Sequence, residues 1–106
     1  MPKYLVQATY TAEGIKGLVR DSASGRRADV QAAVKAVGGH VECFYYAFGS
    51  DDVIMIADMP DNIAAAAVGL TTTGTGAVRV RTTPLLTVEE IDLALEIETP
   101  YRAPGS

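Results

Sequence analysis

The sequence predicts a mixed α+β domain, in which helices cover one face of a four-stranded antiparallel sheet. Four segments are rich in Val, Ile, Thr and Tyr, and side chains of different character alternate along them as they do along strands. Apolar residues recur at helical spacing between the first and second segments, and again between the third and fourth. Only the turn Gly49-Ser50-Asp51 separates the second and third segments. The order is therefore strand, helix, strand, strand, helix, strand.

Length, charge and cysteine content narrow the class of protein. A chain of 106 residues with 48% hydrophobic residues forms one domain with its own core. The formal net charge of −4 disfavours nucleic acid, and no apolar run approaches the roughly 18 residues of a membrane span. A single cysteine and the lack of a signal-peptide pattern indicate a cytoplasmic protein. We expect one domain over residues 1–98 and a mobile tail over residues 99–106.

The first half of the chain begins with a strand over Lys3 to Tyr10. Thr11 is suited to cap a first helix. The apolar residues of that helix are Ile15, Leu18 and Val19. After a break, Ser24 caps a second helix over about Gly25 to Val37. Gly38-Gly39 ends this helix, with one glycine at positive φ.

The central hairpin and the next helix follow. The second strand runs from His40 to about Phe48 and the third from Asp52 to Asp58. Asp61 caps a helix over Asn62 to about Leu70, whose many alanines allow close approach to the sheet.

The fourth strand covers Ala77 to about Leu86, and Pro84 places it at an edge of the sheet or at a bulge. Thr87 and Glu90 then form a capping box that starts a short helix. This order is the β-α-β-β-α-β pattern of ferredoxin-like folds, which leaves one face of the sheet uncovered.

The alternation along each strand predicts which side chains lie on the uncovered face. In the fourth strand, Val78 and Val80 pack under the helices, so Arg79 and Arg81 point the other way. The other predicted members are Leu5, Gln7, Thr9, Glu42, Phe44, Tyr46, Phe48, Ile54, Ile56 and Asp58. A one-residue bulge would exchange the two faces of a strand. So many large apolar groups on one face imply a partner, most simply a second copy of the chain in a homodimer or higher oligomer.

Four stretches resemble the GYD domain family over essentially the whole chain: residues 4–11, 24–27, 45–49 and 79–87. The naming motif of the family, Gly-x-Tyr-Asp, stands here as Gly49-Ser50-Asp51-Asp52, with Asp51 at the tyrosine position. The resemblance implies a ferredoxin-like domain of the dimeric α/β-barrel kind. It implies no activity, because the biochemical function of the family is unassigned.

The candidate residues for binding a ligand are Arg79, Arg81, Tyr46, Glu42, Gln7 and His40. Two guanidinium groups on one strand face suit a carboxylate or phosphate, and the alternative is an ion pair between subunits with Glu42 or Asp58. His40 is the only side chain with an unperturbed pKa near neutrality, and the alternative for it is a solvated surface histidine.

No metal or cofactor is expected, since no second His or Cys lies at ligand spacing and no glycine-rich phosphate loop is present. Cys43 fits a small buried hydrophobe better than a nucleophile. The residue types at 49–52 are more typical of a tight turn than of a loop that binds a ligand.

Two functions of different classes remain. The first is a self-associating module that binds a small anionic or aromatic ligand between facing sheets. The second is a small cofactor-independent enzyme of the oxygenase or isomerase type, which the dimeric α/β-barrel kind permits by analogy. The enzyme requires Tyr46, His40, Arg79 and Arg81 to converge on one pocket.

Overall fold

The computed structural model describes residues 1–106 as one antiparallel sheet with four helices. The elements are β1 Lys3–Tyr10, α1 Ala12–Asp21, α2 Ala23–Ala36, β2 His40–Tyr46, β3 Val53–Asp58, α3 Asn62–Thr73, β4 Val78–Leu85 and α4 Val88–Leu95. The strands are ordered β2-β3-β1-β4 across the sheet, and every neighbouring pair is antiparallel. The predicted ferredoxin-like α+β fold is confirmed. None of the helices combines the length and the hydropathy needed to cross a bilayer.

Three of the predicted helix caps are present. The side-chain oxygens of Thr11, Asp61 and Thr87 accept hydrogen bonds from backbone amides three residues later, at 3.2, 2.9 and 3.0 Å respectively. Each bond satisfies an amide that has no partner inside its helix. The Glu90 carboxylate also accepts from the Thr87 amide at 2.9 Å, which completes the capping box.

The junction between α1 and α2 differs from the prediction. Ser22, not Ser24, caps α2, and its side chain accepts from the Gly25 amide at 3.1 Å. The Ser22 amide donates to the Leu18 carbonyl at 2.9 Å and so also closes α1. Ser22 has φ 72°, in the left-handed region that residues other than glycine rarely adopt, and it is the only residue between the two helices. The predicted break is therefore a single residue, Ser22, which caps the end of α1 and the start of α2.

The core lies between the sheet and the helices, mainly against β1 and β3. Its buried members are Tyr4, Val6, Val34, Met55, Ala57, Met59, Ala65 and Val68. The Tyr4 hydroxyl donates to the Asn62 side chain at 2.7 Å, so the deepest aromatic residue has a partner for its polar end. Only 12 of the 106 residues are buried, so a single chain leaves much of its apolar surface in water.

A bulge in β2 overturns part of the predicted uncovered face. Val41 pairs with Ala57, but Cys43 pairs with Ile56, so Glu42 is the extra residue. The residues after a bulge exchange faces. Phe44 and Tyr46 were expected on the uncovered face and instead lie on the helix side. Their places on the uncovered face are taken by Cys43 and Tyr45.

The strand also ends earlier than predicted, at Tyr46, and Phe48 lies fully exposed in the turn rather than on the sheet. In contrast, α3 continues three residues past its predicted end, to Thr73. The Thr72 hydroxyl donates to the carbonyls of Val68 and Gly69 at 2.8 and 3.1 Å, so its polar group is satisfied within the helix.

Helix α1 turns glycines towards the sheet. Gly14 is buried, and a Cβ at this position would lie 1.9 Å from the carbonyl oxygen of Ala77. The apolar residues Ile15 and Val19 are 43% and 80% exposed. The close contact between Gly14 and Ala77, in the loop before β4, therefore decides which side of α1 faces inward.

β4 is an edge strand that includes Pro84, as predicted. The chain then leaves the sheet as a C-terminal arm, which we define as residues 86–106. Helix α4 in this arm buries no residue, and the molecule measures 57 Å along its longest axis. The arm therefore lies outside the hydrophobic core.

Candidate functional site

The uncovered face of the sheet carries the candidate site. Register and alternation place its members on one side: Lys3, Leu5, Gln7, Thr9, His40, Cys43, Tyr45, Ile54, Ile56, Asp58, Arg79, Arg81, Thr83 and Leu85. The centre is apolar and half-exposed at Leu5, Ile54 and Ile56. Polar groups form a cluster at each end.

The first cluster is centred on Asp51, in the turn before β3. One guanidinium nitrogen of Arg81 lies 3.1 and 3.0 Å from the two carboxylate oxygens of Asp51. The Gln7 amide donates to the same carboxylate at 3.1 Å, and the Thr9 hydroxyl lies 3.5 Å from it. Asp51 is buried, so these donors replace the water that its charge has lost.

Arg79 lies beside this cluster on the same face, opposite Thr9, as the alternation predicted. Its guanidinium has no acidic partner within 4.0 Å, whereas that of Arg81 is occupied by Asp51. The two arginines border a shallow groove of about 470 Å³, which Thr9 and Ser50 also line. One arginine of the pair is therefore available to an anion.

The second cluster lies at the opposite end of the face. The Lys3 ammonium is 3.0 Å from Asp58 and 3.1 Å from Glu42. The hydrogen bond to Asp58, and then the one to Glu42, raise the pKa of Lys3 above its usual value. The predicted alternative, an arginine paired with Glu42 or Asp58 of another subunit, would compete with Lys3 of the same chain. His40 faces Asp58 across the strands and is exposed.

Tyr46 lies on the opposite side of the sheet from the arginines. Its hydroxyl donates to the Ala23 carbonyl at 3.0 Å, and its ring packs edge to face with Phe44 at a centroid distance of 5.4 Å. Burial, and next the neighbouring Tyr10, raise the pKa of Tyr46 to about 12. The phenol therefore stays protonated and fastens β2 to the start of α2.

Gln7, Arg79 and Arg81 thus form one group, and Tyr46 is separated from them by the sheet. His40 and Glu42 belong to the far end. The four groups that the enzyme hypothesis requires do not converge on one pocket. No three His, Cys, Asp or Glu side chains are placed to share a metal ion.

Asp51 was not among the predicted site residues, although it holds Gln7 and Arg81 in place. The sequence signal was the aspartate at the tyrosine position of the naming motif, which we interpreted as turn chemistry. Its neighbour Asp52 does have such a role, because its carboxylate accepts a hydrogen bond from the Tyr10 amide at 2.8 Å.

Cys43 is half-buried on the uncovered face rather than in the core.

Comparison with known proteins agrees with the resemblance noted in the sequence. The family model described as the GYD domain matches residues 4–95. This range runs from β1 to the end of α4. No significant match was found among curated proteins or among solved structures. Since the match covers most of the 106 residues, the chain belongs to the GYD domain family.

Proposed function

We propose that this protein is a self-associating binding module, in which a second copy covers the uncovered face of the sheet. The two sheets then face each other, as in a dimeric α/β-barrel. The observation that carries this proposal is the amount of apolar surface that a single chain leaves in water, on the uncovered face and on the C-terminal arm together.

The arm contributes many of these exposed apolar side chains. Its exposed apolar residues are Leu86, Val88, Ile91, Leu93, Leu95, Ile97 and Tyr101. All but Ile91 are at least 63% exposed. A monomer rarely leaves so many large apolar side chains in water, and covering apolar surface is the main driving force for association. The arm therefore has the composition of an interface segment.

Charge favours a second copy as the partner. Residues 1–85 carry eight basic and eight acidic side chains, so their formal charge is zero. The arm carries five acidic side chains and one basic one, so the whole net charge of −4 lies there. Arg79 and Arg81 lie on the uncovered face, and Arg79 has no acidic partner within its own chain. An acidic, apolar arm thus complements an apolar face that ends in arginines.

A small anion is the ligand that the groove beside Arg79 suits. Asp51 neutralises Arg81, so only one positive charge is available in this groove of about 470 Å³. A single carboxylate or phosphate monoanion matches that charge better than a polyphosphate. We place this ligand between the facing sheets, with Arg79 as the group that binds it.

The half-buried thiol of Cys43 lies on the proposed interface. A single free thiol without a disulfide partner suits a reducing compartment such as the cytoplasm.

Sedimentation velocity of the full chain at micromolar concentration tests the assembly. We expect a dimer or a larger oligomer for the unmodified protein, and a shift to monomer for Ile56→Glu on the face and for Leu95→Glu in the arm. Val19→Glu is the matched control, because Val19 is an apolar residue 80% exposed on α1, away from the face. A monomeric unmodified protein would refute the proposal.

Titration with benzoate, followed by nuclear magnetic resonance, tests the anion site. Chemical shifts should change near Arg79 in the unmodified protein and should no longer change in Arg79→Met. Lys35→Met removes an exposed positive charge from α2 and serves as the control. Equal responses from the two variants would exclude Arg79 as the binding group.

A further inference from the structure

A cavity of about 430 Å³ lies on the other side of the sheet, beneath the helices. α3 packs chiefly against β4, whereas α2 packs against α1 and β2, and the cavity occupies the gap between them. Its apolar lining includes Val30, Phe44, Val53, Met55, Val68 and Val80. Folded cores contain few voids larger than a water molecule. This space is far larger than a packing void and is open to solvent at one side, so it is a pocket of the molecule.

Two glycines keep this space open. Gly17 and Gly69 line the cavity from α1 and α3. A Cβ at Gly17 would meet no atom within 4 Å, and one at Gly69 would meet only the Thr82 hydroxyl, at 3.9 Å. Gly14 differs, because close contact with Ala77 excludes any side chain there. A methyl group at 17 or 69 would fit without a clash, so these glycines preserve volume rather than permit contact.

The opening of the cavity carries one uncompensated positive charge. The exposed charged residues of the lining, Glu13, Arg20 and Asp21, belong to α1, and the exposed Thr75 and Thr82 belong to the loop after α3 and to β4, so α1 forms one edge of the opening. Glu13 pairs with Lys16 at 3.5 Å, and Asp21 pairs with Arg26 at 3.7 Å. Arg20 has no acidic partner within 4.0 Å. The Arg20 guanidinium at the entrance to this apolar cavity is suited to bind the carboxylate of a ligand that is otherwise apolar.

We propose that this cavity is a binding site for an apolar carboxylate with a body of about two fused rings. A cavity of about 150 Å³ is enough to bind benzene, and small-molecule pockets span about 300–1,000 Å³. A volume of about 430 Å³ therefore takes a larger body than one ring. The rings contact the valine, methionine and phenylalanine side chains, and Arg20 binds the carboxylate at the opening. This site lies across the sheet from the self-association face and does not depend on it.

Calorimetric titration of the full chain with 2-naphthoate tests the site. We expect saturable binding to the unmodified protein and at least tenfold weaker binding to Gly17→Phe and to Gly69→Phe, because each new ring occupies the cavity. Ala67→Phe adds the same side chain to the exposed side of α3 and should bind 2-naphthoate like the unmodified protein. If Gly17→Phe fails to fold, Gly69→Phe and its control decide the outcome.

Two further measurements separate this site from the arginine groove. Arg20→Met should weaken binding of 2-naphthoate about tenfold, the usual order for one lost charged hydrogen bond, and should not change binding of the uncharged naphthalene-2-carboxamide. Methyl resonances of Val30 and Val68 should shift on binding, rather than those of Leu5 and Ile56. The proposal is overturned if the unmodified protein shows no saturable binding, or if both cavity-filling variants bind as it does.

Discussion

One guanidinium nitrogen of Arg81 bridges both carboxylate oxygens of Asp51, at 3.1 and 3.0 Å. The pair is unequal, because the Arg81 side chain is 66% exposed and the Asp51 side chain is 10% exposed. Water can replace Asp51 as the partner of the arginine, but it has little access to the carboxylate. Loss of the partner should therefore destabilise the Asp51 carboxylate more than the Arg81 guanidinium.

The first prediction follows from this asymmetry. Arg81→Met should lower the free energy of unfolding by about 1–2 kcal/mol, since a nearly buried carboxylate loses its charged donor. Asp51→Asn should cost less, because the freed guanidinium is solvated, and the two changes together should cost less than their sum. Urea denaturation at pH 7 measures all three variants. Arg27→Met, which removes an exposed arginine without an acidic partner within 4.0 Å, is the control, and an equal cost for it would contradict the prediction.

The second prediction contrasts two glycines of the same helix. Gly14→Ala should destabilise the protein, because the new methyl group would lie 1.9 Å from the Ala77 carbonyl oxygen and α1 must move away. Gly17→Ala should stabilise it by up to about 1 kcal/mol, since the new methyl group meets no atom and alanine favours the helix. Thermal unfolding compares the two variants. Shifts of the same sign would show that the position of α1 is not set by its contact with Ala77.

The third prediction concerns Tyr46 and pH. Its pKa is raised to about 12 in the folded protein, whereas an unfolded tyrosine has a pKa of about 10. The folded state therefore holds this proton more tightly, and the resulting stability is complete below about pH 10 and is lost as the pH rises towards 12. In an absorbance titration at high pH, Tyr46→Phe should remove a late tyrosine component, near pH 12. If Tyr46→Phe instead removes a tyrosine component that ionises at lower pH, the raised pKa of Tyr46 is contradicted.

The fourth prediction concerns the start of α4. This helix has eight residues and buries none of them, so within one chain its caps supply much of its stability. Thr87→Ala removes the acceptor for the Glu90 amide and should destabilise the helix by about 1 kcal/mol. Faster hydrogen exchange of the Ile91 amide, which bonds to the Thr87 carbonyl, would report this loss. Thr99→Ala, beyond the helix, should leave the exchange rate unchanged.

Local patterns were enough to predict the elements and their order. The caps at Thr11, Asp61 and Thr87 depend on contacts three residues apart, so the sequence contains both partners. The alternation in β4 likewise predicted that Arg79 and Arg81 share the uncovered face, because side chains along a strand repeat every two residues.

The faces of β2 could not be predicted in this way. The bulge at Glu42 is visible only in the pairing of β2 with β3, and it moved Phe44 and Tyr46 to the helix side. The single-residue junction at Ser22 also escaped prediction, since a positive φ for serine is not encoded in any local pattern of polarity.

The sequence by itself determined that the chain forms four strands and their helices in this order, and it indicated one apolar face in need of a partner. Tertiary structure decided that Asp51 sits among Gln7, Thr9 and Arg81, and that glycines of α1 face the sheet. These features depend on which distant segments meet, and at what separation. Local periodicity fixes the direction of a side chain along its own element, but only packing across the sheet fixes its neighbours.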